Sequence, residues 1–435
     1  MKKPRVEVWQ TLVHVCRRWR LVVFGSPRRL KLQLFCTPGT PARDILDVWP
    51  ALPLMVKGNM ALSTDIGNII AALGQSNRVC EVDLQLTGWQ LEEVSAQMQV
   101  PFPELTLMQL SSHDETSVIP DSFLGGSAPH LKNFMVSGIS FPGLMKLLLS
   151  ADHLVFLVVS DIPHSAYISP EAMVALLSAL SCLRSFTLGF KSPQSRPDRK
   201  TRSLPPFKRS ILPALHSFHF KGVTEYLEDL LTVIDTPQLF NLDITFFNQI
   251  DFDCPRLAQY IKCTPKLRAR DEAHVQFDRS TASVRLRHRT PNSNLGDLLI
   301  NISCRESDWQ LSSIEQFCNS LHPLSTVEDL YIERRYSKLV WKDDAIENTL
   351  WLQLLLSFTG VKNLYLSEEF APGIAATLQG LVGGRIAEVL PSLQNISAEA
   401  LGPSGPFWEN IGQFVAARQH SDHFIAISGW DKTTT

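Results

Sequence analysis

The sequence has no uninterrupted apolar run of about eighteen residues, so no segment is expected to cross a bilayer as a helix. It has no C-x-x-C pair and no histidine pair at zinc-finger spacing, which argues against a structural metal site. It has no excess of one charge: 41 Lys and Arg stand against 43 Asp and Glu, and a net −2 draws the whole chain neither to nucleic acid nor to anionic lipid. The phosphate loop G-x-x-x-x-G-K-[S/T], the G-x-S-x-G elbow and H-E-x-x-H are all missing. Asp271-Glu272-Ala273-His274 does spell the DEAH of a helicase family. The nearest glycine group, Gly380, Gly383 and Gly384, is followed by Arg385 and Ile386 instead of Lys-Ser/Thr, so the four letters read as a chance match. A non-enzymatic chain without cofactor or metal is the expectation.

Eight cysteines are present, and the start of the chain runs into charged and aromatic residues instead of a signal peptide. Reduced, mostly buried thiols in a cytoplasmic or nuclear protein are therefore expected, and the sequons at Asn301 and Asn395 carry no weight. With 44% hydrophobic residues and 19% charged, the chain has enough apolar material for a large core.

A short phrase recurs nine times: an apolar residue, two variable ones, an apolar one, one variable, a third apolar. It reads Val79-Val82-Leu84, Leu105-Met108-Leu110, Leu131-Phe134-Val136, Leu154-Leu157-Val159 and Leu183-Phe186-Leu188 in the first part of the chain. Leu215-Phe218-Phe220, Leu239-Leu242-Ile244, Val327-Leu330-Ile332 and Val361-Leu364-Leu366 follow. Starts through Leu239 are 26, 26, 23, 29, 32 and 24 residues apart. L-x-x-L-x-L at that period is the strand of a leucine-rich repeat, a unit that cannot bury its apolar face alone and must stack on its neighbours. Between the phrases, apolar residues fall at helical intervals, as in 66–74, 141–151, 169–182, 224–234, 311–322, 345–358 and 408–420. Ser169 is placed to cap a helix whose first residue is Pro170. The fold class expected is α/β: a leucine-rich-repeat solenoid, a curved parallel sheet with helices on its outer face, spanning 29–435 as one repeat domain after a short helical segment at 1–28.

Two regions are basic. Residues 1–31 carry nine Lys or Arg against the single acid Glu7, interleaved with Trp9, Val13, Val15 and Trp19, and read as an amphipathic helix. Residues 191–209 carry seven bases, one acid and four prolines and read as a solvated loop. Nucleic-acid binding through these two segments is the weakest of the function classes, since no reader motif accompanies them.

Val15-Cys16-Arg17-Arg18-Trp19-Arg20, then Ser26-Pro27 and the alternating Leu30, Leu32 and Leu34, resemble the closing part of an F-box followed by a first repeat strand. The thirty residues from Gly402 to Asp431 are similar to the final repeat of the same large set of fungal F-box and leucine-rich-repeat proteins. The resemblance implies a substrate-receiving subunit of an SCF-type ubiquitin ligase, with an adaptor subunit and a protein substrate as partners. It assigns Val15, Cys16 and Trp19 to packing of the F-box remnant. The family's opening proline-containing helix, roughly L-P-x-E-I/L, has no counterpart before Val6. The alternative is an intracellular repeat protein with no ligase link, and the chain reads either as that or as a truncated product.

In a stacked strand the residues between the apolar positions face outward, so they line any binding surface. Among them, Leu107, Met135, Phe156 and Val158 are apolar where solvent is expected, and His219, Asp243, Tyr331 and Tyr365 are the later candidates. Asp329 falls on the same outward set. An apolar centre with a polar rim is how a protein-binding patch is built, with Met135, Phe156 and Val158 as anchors. The competing expectation is that an N-terminal or loop segment covers the patch as added core. His216 and His219, three apart on a strand, are expected on opposite faces and not to chelate together.

Overall fold

The computed structural model describes residues 15–25, 30–39, 41–49, 51–59, 64–114, 117–197, 209–249, 252, 254–268, 270–289, 296–335, 348–381, 385–399, 406–419 and 424–430. Most of the basic loop, 198–208, and the first fourteen residues lie outside these. The chain forms two compact units, Met1–Ser195 and Arg196–Thr435.

In the first unit seven strands run parallel in chain order: β1 Leu32–Phe35, β2 Leu54–Gly58, β3 Val79–Leu86, β4 Leu107–Ser112, β5 Asn133–Ser137, β6 Phe156–Ile162 and β7 Ser185–Phe190. Five of these are the expected phrases and β1 is the expected first strand; β2 carries only part of the phrase. The second and third apolar residues of each phrase are buried, as alternation requires: Val82 and Leu84, Met108 and Leu110, Phe134 and Val136, Leu157 and Val159, Phe186 and Leu188. Return helices close the repeats at the expected places, Ile66–Leu73, Leu144–Leu148 and Pro170–Ala179 among them. Their starts have local causes. The Asp65 carboxylate accepts from the Asn68 backbone N–H at 3.1 Å, and the Ser169 hydroxyl accepts from that of Ala172 at 3.2 Å with Pro170 in the first turn.

Gly138 ends β5 with φ +72°, and a Cβ there would stand 2.1 Å from the Ser112 carbonyl oxygen. Only glycine tolerates that conformation and that approach. Gly138→Ala is therefore expected to destabilise the first unit by more than about 1 kcal/mol, read as a lowered urea midpoint.

The second unit contains β8 Ser210–Ile211, β9 Ser217–Gly222, β10 Ile234–Asp235, β11 Asn241–Phe246, β12 Glu272–Phe277, β13 Thr281–Arg287, β14 Leu298–Ser303, β15 Asp329–Arg334, β16 Asn363–Leu366, β17 Asn395–Glu399 and β18 Ala426–Trp430. β8 and β10 pair with each other in a small parallel ribbon. The others follow the order β9, β11, β14, β13, β12, β15, β16, β17, β18. Every neighbouring pair is parallel except the two that β13 makes. The expected parallel sheet is interrupted at this point of the chain by one antiparallel insertion. Between β11 and β15 the chain lays down three antiparallel strands, so that β14 joins the preceding repeat and β12 the following one. The short connection from Phe277 to Thr281 forces this, because a parallel neighbour needs a crossover of a dozen residues or more. The expected helices at 224–234, 311–322, 345–358 and 408–420 are found as Thr224–Val233, Ser307–Ser320, Asn348–Leu356 and Pro406–Gln419.

Each unit is thus an α/β repeat stack of the leucine-rich-repeat kind, with one face of its sheet buried and the other open. Five cysteines are buried, and Cys16, Cys182 and Cys263 are exposed. Among the described residues no helix is long and apolar enough to cross a membrane.

Candidate partner-binding face

On the open face of the first unit the strand register sets side chains in rows. One row runs Met55, Glu81, Leu107, Asn133, Phe156, Ser185; the next runs Lys57, Asp83, Gln109, Met135, Val158, Thr187. Met135 and Val158 are therefore side by side, with Leu107 and Phe156 on the two diagonals of Met135 and Asn133 between them. Phe156 is 46% exposed, and the other three are half-buried. The N-terminal residues 1–14 and the loop residues 198–208, which the competing expectation would lay over the patch, are outside the described residues. The polar border is Glu81 and Asn133 in one direction, Gln109, Thr187 and Ser185 in the others.

Beside this patch lies a pocket of about 510 Å³, lined by Lys57, Asp83, Gln85, Gln109 and Ser111 together with the end of β1. Two residues of one strand differ in how they are held. Glu81 forms an ion pair with Lys31. Burial raises the Asp83 carboxyl above its ordinary range, against the opposing charge of Lys57 and with that of Glu81.

The open face of the second unit is differently built. Its middle row runs His219, Asp243, Leu299, Arg285, His274, Tyr331, Tyr365, Ser397, Ser428. The rings of His274 and Tyr331 stack at 4.4 Å and 6°, and those of Tyr331 and Tyr365 at 4.3 Å and 6°. In-register neighbours on parallel strands share a side-chain direction, and the strand spacing brings their planes into contact. The row then turns small at Ser397 and Ser428, whose hydroxyls are 2.8 Å apart, and Trp430 from β18 lies back over both tyrosines with ring centroids 5.7 and 5.6 Å away.

At the other end of the stack His274 is held between two carboxylates, Nε2 2.5 Å from Glu272 Oε1 and Nδ1 2.9 Å from Glu333 Oε1. Arg287 donates twice to the same Glu272 oxygen, at 2.9 and 2.6 Å, and Gln276 donates to Glu333 at 2.7 Å. Burial opposes charge on Glu272, but the hydrogen bonds from His274 and Arg287 outweigh it and hold the carboxyl down at about 2. Burial likewise opposes charge on His274, and its two carboxylates raise it above the ordinary imidazole value. Asn363 and Asn395 extend a second ladder from Asp329, Asn395 Nδ2 donating to Asn363 Oδ1 at 2.6 Å.

The candidate residues thus separate into groups. Leu107, Met135, Phe156 and Val158 come together. His219 and Asp243 face each other at 3.3 Å, with Ser217 3.0 Å from the other ring nitrogen. His216 precedes β9 and lies against Phe240, apart from His219 as expected. Tyr331 and Tyr365 stack together, yet Tyr331 is only 8% exposed and Asp329 is buried. The expectation that both face solvent is corrected: Trp430 and the neighbouring rings cover Tyr331, and Arg289 and Asn363 engage Asp329. Val15 and Trp19 are 62% and 48% exposed and Cys16 is exposed, with Leu21 and Val22 of the helix Arg17–Phe24 also open. None of them is buried against a described repeat, and residues 1–14 of the segment to which their packing role was assigned lie outside the described residues.

Sequence reasoning missed Lys57, because β2 lacks the third apolar residue of the phrase, and it missed the roles of Glu272, His274, Arg287, Glu333 and Trp430. A signal for β12 was present in the alternating Ala273, Val275 and Phe277. The letters DEAH point toward nucleotide chemistry instead. In the structure Glu272 and His274 belong to the ion network.

No protein-family profile matches the sequence, and no curated protein is significantly similar to it. Among solved structures, the chain is similar to the leucine-rich repeat-containing protein LegL7 from Legionella pneumophila, at 12% identity and a TM-score of 0.30, over 88% of this chain and 97% of that one. The repeat architecture of this chain stands on its own strand registers.

Proposed function

We propose that the chain is a non-catalytic protein-binding scaffold whose partner docks on the open face of the first unit. The observation that carries this reading is Phe156, a large apolar side chain 46% exposed on a sheet face, beside Met135 and Val158 and within a polar rim. Contiguous apolar surface of this kind marks interaction sites on water-exposed proteins, and aromatic side chains are enriched among interface anchors. The second unit offers less, because Trp430 and the ion network already occupy the corresponding face. Phe156→Asp is expected to leave the melting temperature within a few degrees while abolishing capture of a partner that wild type retains; unfolding of the variant would make Phe156 core and end the reading.

A second reading is favoured by the exposed apolar side chains of Trp19, Leu21 and Val22 on the helix Arg17–Phe24. With the F-box resemblance of that segment, it makes the scaffold a substrate receptor of an SCF-type ligase, docked to the adaptor subunit through this helix. Co-purification with the adaptor, lost on Trp19→Asp, is the expected result; full-length chain that never co-purifies leaves a repeat scaffold without a ligase link.

A further inference from the structure

Carboxylates on the two open faces are almost all satisfied. Glu81 has Lys31, Asp161 accepts from Ser137, Asp243 has His219 and Asn301, Glu272 has Arg287, and Glu333 has Gln276. Asp83 differs: among the described residues it makes neither a hydrogen bond nor a close ion pair, and Lys57, its neighbour in register, acts on it only through space. It is half-buried and lines the pocket, whose volume of about 510 Å³ far exceeds that of a single water. A half-buried carboxylate without a donor is costly, and a cationic donor arriving from outside removes that cost. Lys57 stands on the side of Asp83 away from the apolar patch; on the patch side the next residue in the row is Gln109, an amide that leaves the approach open to a cation.

We propose that the occupant of this face is a protein segment that places a lysine or arginine in the pocket against Asp83 while an aliphatic or aromatic residue of the same segment seats on Met135, Val158 and Phe156. This rests on the docking reading above and adds the chemistry of the partner. The spacing follows from the sheet. Met135 and Val158 lie two and three strands from Asp83 in the same row, about 10 and 14 Å at the usual strand separation. An extended segment crossing the strands spans that with its basic and apolar residues about three to four positions apart, and a helix with them about seven to nine apart.

The test is selection of a random-peptide display library on the full chain, followed by anisotropy titrations of the selected peptides against wild type, Asp83→Asn, Asp83→Glu and Phe156→Asp. Peptides pairing Lys or Arg with a bulky apolar residue at one fixed spacing are expected. Their affinity should fall roughly tenfold or more on Asp83→Asn, survive in Asp83→Glu, and vanish on Phe156→Asp. Peptides that need Phe156 but carry no basic residue, or bind Asp83→Asn as well as wild type, overturn the inference and leave the scaffold reading standing. Peptides indifferent to Phe156→Asp, or no selected peptide, overturn both. Thermal melts of each variant separate lost binding from lost fold.

Discussion

Glu272→Ala is expected to destabilise the second unit by about 3 kcal/mol, measured by urea unfolding near pH 6, because it strips the partner from Arg287 and one of two from His274 on a largely covered face. The figure sits at the low end for a broken buried pair because the Arg287 side chain is 37% exposed and water recovers part of its charge. The pH dependence has a definite sign. Glu272 is held at about 2, below its ordinary 4.5, so its contribution is present above pH 4.5 and is lost as pH falls toward 2. His274 is raised above its ordinary 6.5, so its contribution is complete below pH 6.5 and is lost as pH rises through the raised value. Groups facing His274 are Glu272 and Gln276 on its own strand, Arg285 and Arg287 on β13, and Asp329, Tyr331 and Glu333 on β15. Stability of the second unit should therefore peak between about pH 5 and 6.5, and Glu272→Ala should flatten the acid limb. A wild-type profile without that acid limb, or an unaltered one in the variant, would show the network to be idle.

The second large effect separates two adjacent residues of β5. Phe134→Ala is expected to cost about 3 to 5 kcal/mol, since the ring is wholly buried and packs against Phe141 at 6.4 Å. Met135→Ala, one residue on, is expected to cost under about 1 kcal/mol, because its side chain stands on the half-open face. The contrast is the direct consequence of strand alternation, and it bears on function: the residue that anchors the proposed partner is dispensable to the fold. Comparable costs at both positions, in urea unfolding or in hydrogen exchange across β4 to β6, would mean that the face assigned to binding is core.

How much of the fold is legible in the sequence varies by element. Phrases such as Leu131-Phe134-Val136 announce a strand and its buried side within seven residues, because alternation is a local property of the backbone. The helix after Ser169 is announced by its own cap and proline. The strands Leu54–Gly58, Asn395–Glu399 and Ala426–Trp430 announce themselves less clearly, because Gly58, Ala398 and Gly429 stand where the phrase has its large third apolar residue. The hairpin of β12 and β13 is hidden behind four letters with a stronger association.

The sequence by itself determined which side chains of each repeat go in and which go out, and so named Leu107, Met135, Phe156 and Val158 as outward and apolar. Only the tertiary structure decided which of them touch. Register between strands, not spacing along them, sets Met135 beside Val158, leaves Asp83 next to a pocket without a donor, and brings His274 to Glu333 across 59 residues of chain. The physical reason is that periodicity is local, whereas lateral register depends on where each intervening turn and helix returns the chain. The same cause makes Tyr331 outward by alternation yet covered in fact, since the ring that covers it arrives from β18, in another repeat.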